Sequence, residues 1–246
     1  MELKFNRVFL RGDTHGDFTF LSEFCAKNAT TINDVLIILG DAGIMYYGEN
    51  SKREKKLKEF IASQPITLFC VRGNHERRPA NYTNIKFECW EKDEILPSGA
   101  YYEELYPNIK YIADGSTFTL NGKRFLAIGG AYSVDKYYRL LMGYNWFEDE
   151  ELSTKECGDI LDKIIDNRYD FVLTHTCPLE WQPKWLFLDG IDQSLVSDRM
   201  ESFLSTVFKM ITYQNWYFGH YHDDVYDICG DGKVNMLFHD IVKLDV

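Results

Sequence analysis

Asp34-Val35-Leu36-Ile37-Ile38-Leu39-Gly40-Asp41 (DVLIILGD) is the stretch on which the fold class turns. From Val35 to Leu39 every residue is apolar, with no polar alternation, as in a strand buried on both faces of a parallel sheet. The run then stops at a glycine followed by a carboxylate. Arg7–Arg11 (RVFLR) and residues 66–71 (ITLFCV) read as further strands of this kind. Residues 18–27 and 51–63, lying between these strands, read as helices, and Ser51 with Glu54 has the spacing of a capping box. Strand alternating with helix predicts βαβ units.

Further along, Ser116–Leu120 and Lys123–Ile128 flank Asn121-Gly122, a strong hairpin signal. Residues 153–165 read as a helix, 170–173 as a strand, 193–209 as a helix and 216–218 as a short strand. Residues 225–228 and 234–237 form a second hairpin around Gly230-Asp231-Gly232. Parallel units combined with hairpins predict a mixed α/β sandwich, layered sheets with helices outside. No repeat, low-complexity tract or linker interrupts the chain. It is therefore expected to be one domain, 1–246, whose least regular part, about 81–115, is an insertion or cap over the site.

Composition narrows the function. The 246 residues carry a formal charge of −11, which argues against backbone-driven binding of long nucleic acids, since that needs a basic face. No apolar run is long enough to span a bilayer. The first residues enter a strand-like run without a signal-peptide pattern, so a cytoplasmic location and no membrane partner are expected. The six cysteines are scattered without a CxxC pair, the pattern of free thiols rather than disulfide staples.

The chemistry is carried by the histidines. There are six, and five lie in short polar motifs that each follow an apolar strand. In order, the motifs are Gly12-Asp13-Thr14-His15-Gly16, Gly40-Asp41, Gly73-Asn74-His75-Glu76, Thr174-His175-Thr176 and Gly219-His220-Tyr221-His222. Ligands of open α/β sheets bind beyond the carboxyl ends of the strands, so these motifs are placed to converge. On an extended segment, residues i and i+2 point the same way, so Asp13 with His15, and His220 with His222, can each present two ligands. Asp41 can bridge two cations, Asn74 offers a carbonyl oxygen and His175 another imidazole. A mixed nitrogen and oxygen set without thiolate suits two divalent ions such as Mn, Fe or Zn. Asp17 is read as capping the next helix, and His239 as structural.

Taken together, the motifs resemble the calcineurin-like metallophosphoesterase superfamily, whose blocks read D-x-H, G-D, G-N-H-[ED], H and G-H-x-H. The resemblance runs from Gly12 to His222 and implies a β-sandwich of mixed sheets flanked by helices, with a two-metal centre. It implies that Asp13, His15 and His222 hold the first metal, that Asn74, His175 and His220 hold the second, and that Asp41 bridges them. His75 matches the catalytic histidine, and Arg72 a phosphate-contacting arginine of the protein-phosphatase branch. That branch has G-D-x-x-D-R-G at its second block. Here Ile44 and Met45 stand in place of the Asp that orients the histidine and of the Arg that binds phosphate. The fourth block, His175-Thr176-Cys177-Pro178, is closer to bacterial phosphoesterases of small substrates.

The segment from Gly129 to Arg139 is similar to one in uncharacterised bacterial and phage members. Its Lys136 and Arg139 can clamp a substrate phosphate in place of the missing arginine, while Ser133 and Asp135 line the pocket; the other reading is a solvated, aromatic-anchored loop. The expected function is hydrolysis of a phosphate ester by hydroxide held between two cations, with His75 assisting the leaving group. The alternatives are a nucleotide phosphodiesterase or nuclease, and a non-catalytic binding protein on the same fold.

Overall fold

The computed structural model describes residues 2–246. In chain order the elements are β1 (Glu2–Leu3), β2 (Arg7–Arg11), α1 (Phe20–Asn28), β3 (Asp34–Leu39), α2 (Lys52–Ala62), β4 (Thr67–Val71), β5 (Ile85–Glu91), β6 (Ser98–Glu103), β7 (Ile109–Ile112), β8 (Ser116–Leu120) and β9 (Lys123–Ile128). They continue as α3 (Lys136–Met142), α4 (Thr154–Ile164), β10 (Arg168–Thr174), α5 (Arg199–Met210), β11 (Thr212–Phe218), β12 (Val234–Met236) and β13 (Val242–Lys243). One sheet has six strands in the order β1-β8-β9-β10-β11-β12, and the other has seven in the order β13-β2-β3-β4-β7-β6-β5.

Alternate residues of the same strands face two different cores, which is why the apolar runs show no polar alternation. Val8, Leu10, Val35, Ile37, Leu39, Phe69 and Val71 point inward to the core between the sheets, where they meet Phe118, Phe125, Ala127, Phe171 and Leu173 of the other sheet. Stacked rings run along the six-stranded sheet's side of that core, Phe118 5.2 Å from Phe125 and Phe125 4.8 Å from Phe171, and Trp90 of the other sheet packs on Phe118 at 5.1 Å. Phe9, Leu36, Ile38, Leu68 and Cys70 point outward beneath Leu21 and Cys25 of α1 and Ile61 of α2. On the opposite face Leu126, Ile128, Val172, Trp216 and Phe218 lie beneath Ile160 and Ile164 of α4 and Leu204 and Val207 of α5. The result is a mixed α/β sandwich in four layers, helix, sheet, sheet, helix.

Several expectations need correction in detail. Ser51 caps α2, its Oγ accepting from the backbone of Arg53 and Glu54, but Glu54 does not complete a capping box. It turns instead to the backbone N–H of Gly48 and to Lys58. Ser153 and Glu156 form the complete box at α4. The helix expected over 193–209 is split: Gln193–Leu195 is one 3-10 turn, and α5 starts only at Arg199. Residues 225–228 make only an isolated antiparallel bridge, Val225 to Met236. The stretch read as an insertion holds β5, β6 and β7, an antiparallel ribbon that extends the seven-stranded sheet at one edge. All six cysteines are free thiols.

Lys163 fastens α4 to the start of β6. Its ammonium donates to the carbonyls of Leu96 and Gly115 and to Ser98 Oγ, at 2.7–3.0 Å. Burial pushes its pKa down to about 8. Below pH 8 the group is charged in both states and its burial works against folding. Between pH 8 and its ordinary value the unfolded chain holds more protons, so stability from this group rises with pH. The urea midpoint of the wild type, relative to Lys163→Met, is expected to rise from pH 7 to pH 10. A difference that stays constant over that range would contradict the assignment.

Candidate metal centre

The five polar motifs all follow strands that run parallel within their sheets: β2, β3 and β4 in one, β10 and β11 in the other. Their carboxyl ends therefore lie at one end of the sandwich. The loops are joined by backbone bonds. The N–H groups of Thr14 and His15 donate to the Asp41 carbonyl, Gly130 N–H donates to Arg72, and Gly219 N–H donates to His175. Two carboxylates reinforce these links from within: Asp13 Oδ1 accepts from His220 N–H and Asp41 Oδ1 from His75 N–H, both at 2.8 Å.

The loops also pack too closely for side chains at several glycines, Gly40 and Gly73 among them. A Cβ on Gly40, whose φ is +93°, would overlap the His175 ring, and one on Gly73 would overlap the Asp41 carboxylate. Glu76, buried beneath them, accepts from the N–H groups of Gly43 and Gly73. Burial and the nearby Asp41 push its pKa up to about 8.

Donor atoms of Asp13, His15 and His222 gather in one group, and those of Asp13, Asp41 and His175 in another, each group within 4.8 Å. Asp13 Oδ2 lies 3.2 Å from His222 Nε2 and 3.7 Å from His15 Nε2. Asp41 Oδ1 lies 3.7 Å from His175 Nε2, and its Oδ2 lies 3.9 Å from His15 Nδ1 and 3.8 Å from His75 Nε2. His220 packs its ring against His175 at 4.9 Å, on the other side from His222. The histidines of these i, i+2 motifs do not sit on extended backbone. His15, Asp41, His220 and His222 have left-handed φ values of 48°, 47°, 70° and 57°. The pair His220 and His222 is thereby divided between the two sides of the site.

Two observations show that these residues fit bound cations. His175 sets its Nδ1 against the Leu39 carbonyl at 2.8 Å, the arrangement that orients metal-binding imidazoles. In the neutral ring that leaves a lone pair on Nε2, yet Nε2 faces Asn74 Oδ1 at 2.9 Å. The Asn74 amide is held in this orientation because its Nδ2 donates to Ser133 Oγ at 2.9 Å. Two acceptors in contact call for a positive centre between them. His15 and His222 bring their Nε2 atoms to 2.9 Å of each other. The second observation is Asp13 Oδ2, a buried oxygen without a hydrogen bond.

The electrostatics are consistent with a ligand set held ready. Burial, with His175 beside it, pushes His220 down to about 3, so this imidazole stays neutral. Burial raises the Asp41 carboxyl, but His75, His175 and His15 outweigh it and hold the group below its ordinary value.

The remaining expected residues are placed as follows. His75 lies beside Asp41, and its Nε2 faces Arg139 Nη2 at 3.1 Å. Arg139 is fixed by Asp135, whose two oxygens accept from its Nε at 2.8 Å, and by Tyr46. Arg72 is buried and turned elsewhere, with Nε on Asp114 and Nη1 on the Glu150 carbonyl. Lys136 sits over the Trp146 ring at 4.0 Å. Asp17 closes a turn ahead of α1, accepting from Thr19 N–H and Oγ1. Sequence reasoning missed Glu150, which accepts from Ser133 N–H at 3.0 Å and from Ser133 Oγ at 2.5 Å. Nothing in the acidic run Glu148-Asp149-Glu150-Glu151 sets it apart, except that it alone is buried.

A family model described as calcineurin-like phosphoesterase matches residues 7–224. No curated protein matches the chain. Among solved structures, a Staphylococcus aureus protein provisionally assigned as a 5'-nucleotidase, in complex with alpha-ketoglutarate, aligns with 94% of this chain at 15% identity and a TM-score of 0.43. This chain spans 48% of that one, about half its length. The family match covers most of the sequence and takes in every strand end that carries a motif, and the chain belongs to the calcineurin-like phosphoesterase family.

Proposed function

We propose that the protein hydrolyses phosphate esters at a centre for two divalent cations, Mn, Fe or Zn. The observation that supports this most is the pair of overlapping groups, Asp13 with His15 and His222 and Asp13 with Asp41 and His175, beside which His175 Nε2 faces the Asn74 carbonyl oxygen. Asp13, His15 and His222 would hold one cation, Asn74, His175 and His220 the other, with Asp41 between them. When bound, such cations supply Lewis-acid stabilisation of phosphoryl charge and acidify water.

The chain's own residues do the rest. His75 carries a proton toward the leaving oxygen, work typically worth ~10²–10⁴-fold. Arg139 faces His75 Nε2 as a donor, so it cannot replace the orienting carboxylate that Ile44 leaves out. It holds His75 in the absence of substrate, and its guanidinium is near enough to turn to a phosphoryl oxygen when one arrives. Arg72, committed to Asp114, supports the loop rather than the substrate.

Ser133 and Glu150 are positioning residues for Asn74. Ser133→Ala removes the acceptor that fixes the amide and is expected to weaken Mn²⁺ binding by ~10–100-fold, the usual cost of losing a ligand's support. Calorimetric titration with Mn²⁺ measures this, and unchanged affinity would remove Ser133 from the site.

The reading itself is tested by assaying the Mn²⁺-loaded protein on p-nitrophenyl phosphate and bis-p-nitrophenyl phosphate, with His175→Ala as control. Turnover that disappears in the variant supports a phosphoesterase, and the preferred ester separates monoesterase from diesterase. Absence of both bound metal and turnover would favour a binding protein.

A further inference from the structure

A cavity of about 240 Å³ opens beside the centre, with Asp41, Asn74, His75, His220 and His222 at one end. One wall is Tyr221 with apolar residues from the segment between β10 and α5, Leu186, Phe187, Leu188, Ile191 and Val196, and another wall is residues 132–135. The Phe187 and Tyr221 rings lie nearly parallel, at 15° and 6.4 Å. An apolar cavity of about 150 Å³ already accommodates a benzene ring, so this one has room for a group of one or two rings.

The charges of the lining are one-sided. Among the described residues that line the cavity there is no lysine or arginine, while Asp41, Asp135 and Glu201 contribute carboxylates. Arg139, which touches His75 at the edge, is already paired with Asp135. Glu201 is almost wholly buried. One of its oxygens accepts from Thr176 Oγ1 at 2.7 Å, and the other has no partner. Asp41 belongs to the cation centre and Asp135 is paired, so beyond the centre a second phosphate, or a nucleic-acid backbone, would find no lysine or arginine among the described lining residues and would face the Glu201 carboxyl, which is costly in a partly desolvated site. The free acceptor favours a group that donates a hydrogen bond.

We infer that this cavity is the subsite for the organic half of the substrate, and that the substrate is an ester with a single phosphate on an uncharged, largely apolar or aromatic alcohol. The inference rests on the phosphoesterase reading for the placing of the phosphate. The wall formed by residues 186–196 then acts as the specificity determinant, and polyanionic esters are excluded.

Two measurements test it. In the first, the Mn²⁺-loaded protein is given 1-naphthyl phosphate, glycerol 2-phosphate and fructose 1,6-bisphosphate. The naphthyl ester is expected to be preferred in kcat/KM by about 10-fold or more, through KM, and Val196→Lys is expected to collapse that preference. In the second, the metal-free protein is titrated with 1-naphthol and followed by tryptophan fluorescence. Saturable binding that Val196→Lys weakens about 10-fold supports the subsite without any hydrolysis. Naphthol binding with no ester turned over would retain the subsite and reject the phosphoesterase. Turnover with equal preference for all three esters, and no naphthol binding, would overturn the subsite and retain the phosphoesterase.

Discussion

Asp41→Ala is expected to lose metal and to lose turnover by about 10³-fold or more, because several kcal/mol of charge stabilisation at the phosphoryl group depend on the bound ions. Asp13 shares the cluster but reaches toward His15 and His222, whereas Asp41 faces His75 and His175 as well as His15. Asp41 lies within 3.9 Å of His15, His75 and His175 and fixes the loop carrying His75 through its backbone N–H. Asp41→Asn separates these roles, since the amide oxygen can still accept from His75 N–H while the negative charge is gone. It should fold like the wild type, bind Mn²⁺ weakly and remain inactive. Calorimetric stoichiometry alongside p-nitrophenyl phosphate turnover checks both, and a variant that binds two ions and keeps a tenth of the rate would refute the bridging role.

His75→Ala is expected to do the reverse, keeping metal and losing rate. The loss should be ~10²–10⁴-fold on phenyl phosphate, whose leaving oxygen needs a proton, and much smaller on p-nitrophenyl phosphate. Burial lowers the His75 pKa, Asp41 raises it and Arg139 lowers it, so the proton on this ring depends on what Arg139 is doing. Equal losses on the two esters would mean that His75 positions the substrate and does not protonate it.

The strands were legible because each buries both faces: β2, β3 and β4 have cores on either side, so polar residues stand only at their ends, as Arg7, Arg11, Asp34 and Thr67 do. The gathering of Asp13, His15, Asp41, His175 and His222 was legible because so few histidines exist and nearly all follow a strand. Backbone shape was not. An i, i+2 pair reads as extended, yet His15, His220 and His222 are left-handed. The split of 193–209 escaped because the break lies between a 3-10 turn and Arg199, where composition hardly changes. Glu150 escaped because its partner Ser133 is distant in the chain and only the folded loop brings them together.

The left-handed ligands bear on how such a chain changes over time. An L-residue in that conformation costs roughly 1–2 kcal/mol, less for histidine and aspartate, which tolerate it better than most. His15, Asp41, His220 and His222 all carry that cost. In a lineage released from the need for this chemistry, glycine or asparagine at any of the four would be gained as stability. Inactive descendants should therefore diverge first at their most chemically specialised residues, while the apolar strands beneath stay the same.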